Sequence, residues 1–349
     1  MMNEMSQDPC ERTRQRAMSR CGGVAAIMAC LSLACACGHH GSSESKGKAT
    51  QAQLAALPAS TRVIVGFDVA RLASSGIARR AIGLGLGADG RVAGRVADLL
   101  ARCKLDPARD LATVVVGIGP DSSDIAVVAD GKLDEKQLVD CARAGVAEAG
   151  GTFEAKGGGA WRTYVASDPK APARAVYLAF SGTGTVVLAT SEPLLRSIVD
   201  PAAPKAIADP VMGKLLARIH PGAAVWGAGR LDPSAGAKVA EMVTERKLAP
   251  AQAVLGTVDL DSGLGLELAV DMENEQDASA LSTVMASQLP WLGIAAGRWG
   301  LGAAASRARV SVDGKAVKMT LRLEATDVAS AEAALAKATG EPGAGGPGK

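Results

Sequence analysis

Cysteine and histidine offer the most recognisable chemistry in this sequence, and both lie mainly near the N-terminus. Five of the seven cysteines lie at or before Cys37, and His39 and His40 follow shortly after it. A thiol can be acylated, oxidised to a disulfide or bound to a metal ion. No second group of ligands at metal-binding spacing accompanies these residues, so we expect no metal site and interpret both histidines as solvated. The third histidine, His220, is expected to end a helix.

Sequence motifs for catalysis are missing from the rest of the chain. There is no G-x-S-x-G nucleophile elbow, no H-E-x-x-H motif and no phosphate-binding loop. Two S-x-x-K pairs, beginning at Ser43 and Ser167, lack the motifs that accompany this spacing in penicillin-binding enzymes. Residues 259–267 lack the glycine and ligand positions of a calcium loop, and we predict a hairpin there. We therefore assign no catalytic residue, no cofactor and no metal ligand.

The N-terminal 36 residues are expected to form an export signal. Met18 is a credible start, Arg20 supplies a positive charge, and residues 22–34 are an apolar run. That run is too short to span a bilayer, which takes about 20 residues. Small residues precede Cys37, and "CGHHGSSESKGK" then begins a polar segment. We assign residues 1–36 to the signal peptide and residues 37–60 to a flexible tether.

The segment "LSLACACG" resembles the signal of bacterial lipoproteins, in which a leucine and small residues precede a cysteine that receives lipid. The leucine expected three positions before Cys37 lies one position earlier, at Leu33. The resemblance implies acylation at Cys37, with Cys35 as the alternative, and anchoring in the bacterial envelope, expected at the outer membrane. Ordinary cleavage and an uncleaved anchor remain the other interpretations. The resemblance covers about 20 residues and implies nothing about the body.

The composition restricts the class of partner. The chain has 349 residues, of which 48% are hydrophobic but only 3% aromatic, so aliphatic side chains must fill its core. Four arginines and three acidic residues precede Cys37, so 34 basic and 33 acidic residues follow. This balance offers no basic footprint for nucleic acid. The expected partners are a membrane, through the lipid anchor, and an envelope protein.

The body alternates β hairpins with amphipathic helices, which predicts an α+β fold of antiparallel hairpins with helices packed on one face of the sheets. The order of elements occurs twice, with "RVIVGFDVARL" (62–72) echoed by "AAVWGAGRL" (223–231). The hairpin 113–130 and helix 134–149 correspond to the hairpin 251–272 and helix 275–289. We therefore predict an internal duplication, with modules at 61–205 and 206–338 and a disordered tail at 339–349.

Two pairs of residues in the body invite a functional interpretation. Trp291 and Trp299 lie in "LPWLGIAAGRWGLGAAA" (289–305) and could contact a membrane interface or a partner, although we favour a buried helix or loop between the modules. Cys103 and Cys141 could pair as a disulfide in an oxidising compartment. We favour two separate buried thiols, because the sequence does not place the two Cβ atoms together.

The function most consistent with these observations is non-catalytic binding or a scaffold role in the cell envelope. Two alternatives stay open. The chain could carry an apolar ligand between its modules, which requires a large aliphatic cavity. It could also be an exported hydrolase or transferase whose residues converge only in the folded chain.

Overall fold

The computed structural model describes residues 53–76, 78, 101–121, 123–157, 160–171, 175–181, 184–219, 223–237, 248–260 and 263–339. Its strands are β1 Val63–Asp68, β2 Leu111–Ile118, β3 Ile125–Gly131, β4 Thr152–Gly157, β5 Trp161–Ser167, β6 Val176–Ser181, β7 Thr185–Ala189, β8 Val225–Arg230, β9 Ala253–Asp259, β10 Leu264–Asp271, β11 Arg309–Asp313 and β12 Ala316–Leu323. Its helices are α1 Val69–Ser74, α2 Pro107–Asp110, α3 Glu135–Glu148, α4 Glu192–Val199, α5 Pro210–Leu216, α6 Glu275–Gly297, α7 Gly302–Ser306 and α8 Ala325–Thr339.

All twelve strands join one antiparallel sheet in the order β11-β12-β10-β9-β8-β1-β2-β3-β7-β6-β5-β4. The α+β class predicted from the sequence is therefore confirmed, with a single continuous sheet. On the two sides of the central β1–β8 pair, the strands follow in a corresponding order. β1 is followed outward by β2, β3, β7 and β6, and β8 is followed outward by β9, β10, β12 and β11. The hairpin β4–β5 has no counterpart in the described part of the second half. Internal duplication itself remains a proposal.

Helices cover both faces of the sheet, whereas the sequence favoured one. Because side chains alternate along a strand, Val115 and its neighbour Val116 point to opposite faces. Val115 packs with Met212 of α5 and Leu195 of α4 on what we call the first face. Val116 packs with Val69 of α1 on the second face, which also receives α3 and α6.

Local capping explains where the helices begin. Asp134 accepts a hydrogen bond from the Gln137 backbone N–H at 2.7 Å, and Ser191 caps α4 in the same manner, as the sequence predicted. Asp209 begins α5 by accepting from Met212 N at 2.8 Å. The same carboxylate pairs with Arg230 at 3.1 Å, which fastens α5 to the end of β8.

The last residues that we assigned to the tether belong to the folded body. Gln53, Leu54 and Leu57 are buried in the first face. The Gln53 amide donates to the backbone carbonyls of Thr113 at 3.2 Å and Val128 at 3.4 Å. The sequence favoured a flexible segment because residues 38–60 show no apolar periodicity, yet a side-chain amide can hold a short segment on a sheet. The rest of the tether lies outside the described residues.

Candidate functional site

Helix α6 has a packed half and an exposed half. Asn274 caps its N-terminus by accepting from the Asp277 backbone N–H at 2.8 Å. Ala278 and Leu281 then bury against Met272 and its neighbours on the second face. From residue 286 to residue 303, by contrast, every residue is half-buried or exposed. The sequence predicted a helix only to residue 289, but the helix continues to Gly297 and carries its second half into solvent.

Four large apolar side chains lie on this exposed half and on the turn that follows it, and we call them the apolar tip: Trp291, Leu292, Ile294 and Trp299. Their exposed fractions are 68%, 44%, 64% and 55%. These four are among only nine large hydrophobic residues that are exposed in the described part of the chain. The preferred prediction, a segment buried between two modules, was wrong: the structure places both tryptophans at the surface.

The backbone around the tip is held by turns and a close contact with α8. Pro290 lies inside α6 and leaves one carbonyl of the preceding turn without its helical donor. The helix ends with a hydrogen bond from Leu301 N to Ala296 O at 2.9 Å. Gly300 has a φ of +73°, and a Cβ there would collide with the Ser330 carbonyl oxygen. The chain therefore turns at Gly300, and α7 returns with Ala304 buried.

The segment that carries the tip has positive charge and no acidic residue. No aspartate or glutamate occurs between Asp277 and Asp313, whereas Arg298, Arg307 and Arg309 fall in that interval. Arg307 is occupied, because it pairs with the buried Asp327 of α8. An exposed apolar helix end with tryptophans and an arginine has the chemistry of a surface that meets the interface of a bilayer.

No described helix combines the length and the apolar character needed to cross a membrane. The sequence singled out the two tryptophans but not Leu292 or Ile294. A signal for them was present, because residues 291–296 are apolar around the whole circumference of a helix, and a helix on one sheet face can bury only one side.

Cys103 and Cys141 form a disulfide, with their Cα atoms 5.2 Å apart. The preference for separate thiols is overturned, because α3 carries Cys141 to the chain that leads into α2. Beside the bridge, Gln137 Nε2 donates to Cys103 O at 2.5 Å. Structural disulfides belong to oxidising compartments, so the bond indicates a location outside the cytosol.

An apolar depression of about 480 Å³ lies beside the disulfide, between α3 and the second face near β4–β7. Its lining includes Val146, Phe153 and Leu178, with Arg102 at one side. Arg102 pairs with Glu148 of α3. The depression lies within the first half of the sheet, whereas the sequence placed a carrier cavity between two modules.

Where the structure describes them, the remaining residues considered in the sequence form no reactive cluster. Cys35, Cys37 and all three histidines lie outside the described residues. Ser167 Oγ hydrogen-bonds Thr152 Oγ1 at 2.8 Å, a contact between neighbouring strands. Where side chains are described, no group of three or more His, Cys, Asp or Glu residues could hold a metal ion.

Lys205 is a half-buried cation that sequence reasoning missed. Its Nζ donates to the carbonyl oxygens of Ser197 and Asp200 at 2.8 Å each, and of Ile198 at 3.1 Å. Burial lowers the pKa of this amine, and the charge of Asp200 opposes that effect. The carbonyls come from the end of α4, so the lysine caps this helix and has no free face for chemistry.

The fold and the site define a disulfide-containing α+β protein from outside the cytosol, with one broad sheet and an exposed apolar helix end. No family model and no curated protein matches the chain. Among solved structures, three crystal forms of TP0453 of Treponema pallidum are similar to it. Form I has a TM-score of 0.45 at 12% identity and covers 81% of this chain and 97% of that one. Form III has a TM-score of 0.49 at 12% identity and covers 80% of this chain and 97% of that one. Form IV has a TM-score of 0.42 at 9% identity and covers 82% of this chain and 96% of that one.

Proposed function

We propose that this chain is a lipid-anchored protein of the bacterial cell envelope that acts by binding at a membrane surface, without catalysis. The signal at residues 1–36 exports it, and Cys37 carries the lipid, at the outer membrane. The apolar tip makes a second contact with the same bilayer. The observation that supports the proposal most directly is the exposure of both Trp291 and Trp299 on one helix end.

The dimensions of the chain allow both contacts at once. Gln53 lies over β2 and β3, whereas α6 packs over β11 and β12. Five strand spacings separate β2 from β12, which is about 24 Å across the sheet. The 16 residues from Cys37 to Gln53 can extend to about 55 Å. The tether therefore leaves the tip free to reach the bilayer that holds the lipid.

The tip would add affinity to a lipid anchor rather than replace it. Burying one large aromatic or aliphatic side chain contributes about 1.5–3 kcal/mol, reduced here because each side chain already touches its own helix. Stable attachment to a membrane usually combines two binding signals, such as an acyl chain and a second contact made by the protein. Arg298 is the one charged residue between Trp291 and Trp299. The tip should therefore bind zwitterionic lipid nearly as well as anionic lipid.

Vesicle flotation of the exported chain with Cys37→Ser separates the tip from the lipid. The unacylated protein should float with phosphatidylcholine vesicles, and Trp291→Ala with Ile294→Ala should lower the bound fraction at least tenfold. The matched control is Ile207→Ala with Val211→Ala, which removes exposed apolar surface from the region of α5, on the first face. Equal binding by the two double variants would contradict the role of the tip.

Intact mass of the native protein tests the anchor independently. Acylation at Cys37 predicts a chain that begins there and carries several acyl groups. A chain that begins elsewhere, or that has no added mass, would refute the anchor and leave the tip experiment unaffected.

The apolar depression beside α3 favours a second candidate, a carrier of a single apolar chain such as a fatty acid. Its volume falls in the range of small-molecule sites, and Val146, Phe153 and Leu178 offer an aliphatic and aromatic lining. Native mass spectrometry of protein from its own envelope would detect a bound lipid. Val146→Trp should displace this lipid from the depression. Native mass spectra that show only protein without bound lipid would exclude the carrier function.

We also propose that the two halves arose by duplication. The correspondence of β1, β2, β3 and β7 with β8, β9, β10 and β12 in strand order supports this. The hairpin β4–β5 would then be an insertion in the first half.

A further inference from the structure

The edge strand β11 is short, exposed and unpaired on its outer side within the described part of the chain. Its Arg309, Ser311 and Asp313 are exposed, and Val312 is 41% exposed. The register of β11 with β12 is regular from end to end. At the opposite edge, β4 contains a register shift between Ala155 and Gly157, a device that disrupts pairing.

The turn after β11 determines which backbone groups face outward. Asp313 pairs with Ala316 across a two-residue loop. The residues that flank such a loop exchange hydrogen bonds with each other, and hydrogen-bonded pairs alternate along the ladder. Ser311 and Arg309 therefore also bond to β12, whereas the N–H and C=O groups of Val310 and Val312 point away from the sheet.

The sequence of β11 is complementary to itself when a second copy lies antiparallel and centred on Ser311. Val310 then faces Val312 of the other copy, and the outward groups of these residues form four backbone hydrogen bonds. Arg309 of each copy lies opposite Asp313 of the other, so two pairs of opposite charge meet across the strands. In the single chain Arg309 donates to the nearby carbonyls of Ser306 and Ala308, and Asp313 pairs with Lys318 of β12 at 3.2 Å. The contact between copies would therefore give Arg309 a carboxylate and give Asp313 a second cation.

This pairing has a definite symmetry. A two-fold axis between antiparallel strands is perpendicular to the sheet, so it leaves the second faces of both copies on the same side. Helix α6 packs over β11 and β12 on that face. From the spacing of strands, the two α6 helices would lie about 10 Å apart, which is a normal distance for packed helices. Both apolar tips would then lie on one side of the dimer.

We propose that β11 is a homodimerisation edge, which joins two copies of this chain into one continuous sheet through an isologous β11–β11 contact. The partner is a second copy rather than another protein, because hydrogen bonding, charge and the placement of α6 are all satisfied by β11 itself. The inference uses only the described fold and does not depend on acylation or membrane binding.

Charge exchange tests the pairing in the exported full chain. Sedimentation should show a concentration-dependent dimer. Arg309→Asp should weaken it by roughly tenfold, and Asp313→Arg should do the same, because each creates two like-charge contacts across the axis. The double variant should restore the dissociation constant to within about twofold. A monomer at all concentrations, or a double variant weaker than both single variants, would overturn the proposal.

Cysteine cross-linking identifies the edge that is used. Ser311→Cys should form a dimer linked between copies on oxidation, because residues facing each other at a non-hydrogen-bonded position have Cα atoms about 4.5 Å apart. The matched control is Thr152→Cys on β4, with the parent chain giving the background from native cysteines. Stronger linking through residue 152, or mixed linking between 152 and 311, would overturn the β11 dimer in favour of other edge contacts.

Val312→Pro provides a variant that spares the fold. The N–H of Val312 points outward, so proline there removes no bond to β12, while it removes two of the four bonds between copies. We expect a folded monomer whose thermal transition equals that of the parent chain at concentrations where the parent is also monomeric. A Val312→Pro variant that still dimerises with the parent affinity would refute the β11 contact.

Discussion

The centre of the sheet provides a sharp test of the packing. Gly66 on β1 lies opposite Trp226 on β8. The indole ring of Trp226 lies over Gly66, and a Cβ at residue 66 would overlap three of its atoms. The ring is 6% exposed and belongs to the core of the first face together with Ile64. Gly66→Ala must therefore move either the ring or the strand.

The expected cost follows from those two responses. Overpacking that the core absorbs by small shifts costs about 1–3 kcal/mol. Complete expulsion of a buried tryptophan costs about 3–5 kcal/mol. Because the overlap involves the rigid ring system rather than the flexible end of a side chain, we expect Gly66→Ala to lower the free energy of unfolding by about 3 kcal/mol.

Gly227→Ala is the matched control, since it makes the same change on the strand paired with β1. A Cβ at residue 227 would lie 3.5 Å from Ile64 O and 3.7 Å from Val65 Cγ2, which are ordinary contacts. The change should alter stability by less than about 1 kcal/mol, because alanine also reduces the freedom of the unfolded chain. Urea unfolding followed by circular dichroism measures both variants. In the Trp226→Ala background the cost of Gly66→Ala should fall below 1 kcal/mol, and a cost unchanged by this removal would refute the reasoning.

Three further predictions concern the bonds that hold the elements together. The pKa of Asp209 is lowered, chiefly by the backbone hydrogen bond from Met212, so its contribution is present above the ordinary pKa of 3.8 and is lost as pH falls below it. Asp209→Asn should keep the helix cap but flatten this part of the acid unfolding curve, whereas Asp209→Ala should cost about 1–2 kcal/mol at neutral pH. Replacing Cys103 and Cys141 by serine should cost about 4 kcal/mol, because the bridge spans 38 residues, and should abolish the effect of reductant on the thermal transition. Lys205→Met should cost about 1–3 kcal/mol in urea unfolding, because it leaves buried carbonyls at the end of α4 without their donor.

Local pattern predicted the elements of this fold better than their arrangement. The hairpins at 113–130 and 251–272 and the caps at Asp134 and Ser191 rest on turn residues and period-two alternation, which act over a few residues. The union of both halves in one sheet depends on the β1–β8 pairing, where Trp226 covers Gly66. The sequence of neither strand alone predicts that it pairs with a strand about 160 residues away.

The candidate site shows a different limit of sequence reasoning. Hydrophobicity led us to expect residues 289–305 in the interior, because exposed apolar runs are unfavourable in a soluble domain. Only the structure shows that the contact of α6 with the sheet ends near Leu281 and Met285, and that the second half of the helix packs against the short helix α7 with its large apolar side chains exposed. The disulfide was unpredictable for a similar reason, since it depends on where α3 places Cys141.

The distribution of aromatic residues supports the role proposed for the apolar tip. The chain has only nine aromatic residues, and all nine are described. Seven are buried or half-buried, whereas Trp291 and Trp299 are exposed and lie on the same helix end. In a core filled mainly by alanine, valine and leucine, burial of these two rings would stabilise the fold, whereas their exposure to water does not. The proposed contact with a bilayer would make their position favourable, because a bilayer interface is apolar but bordered by water.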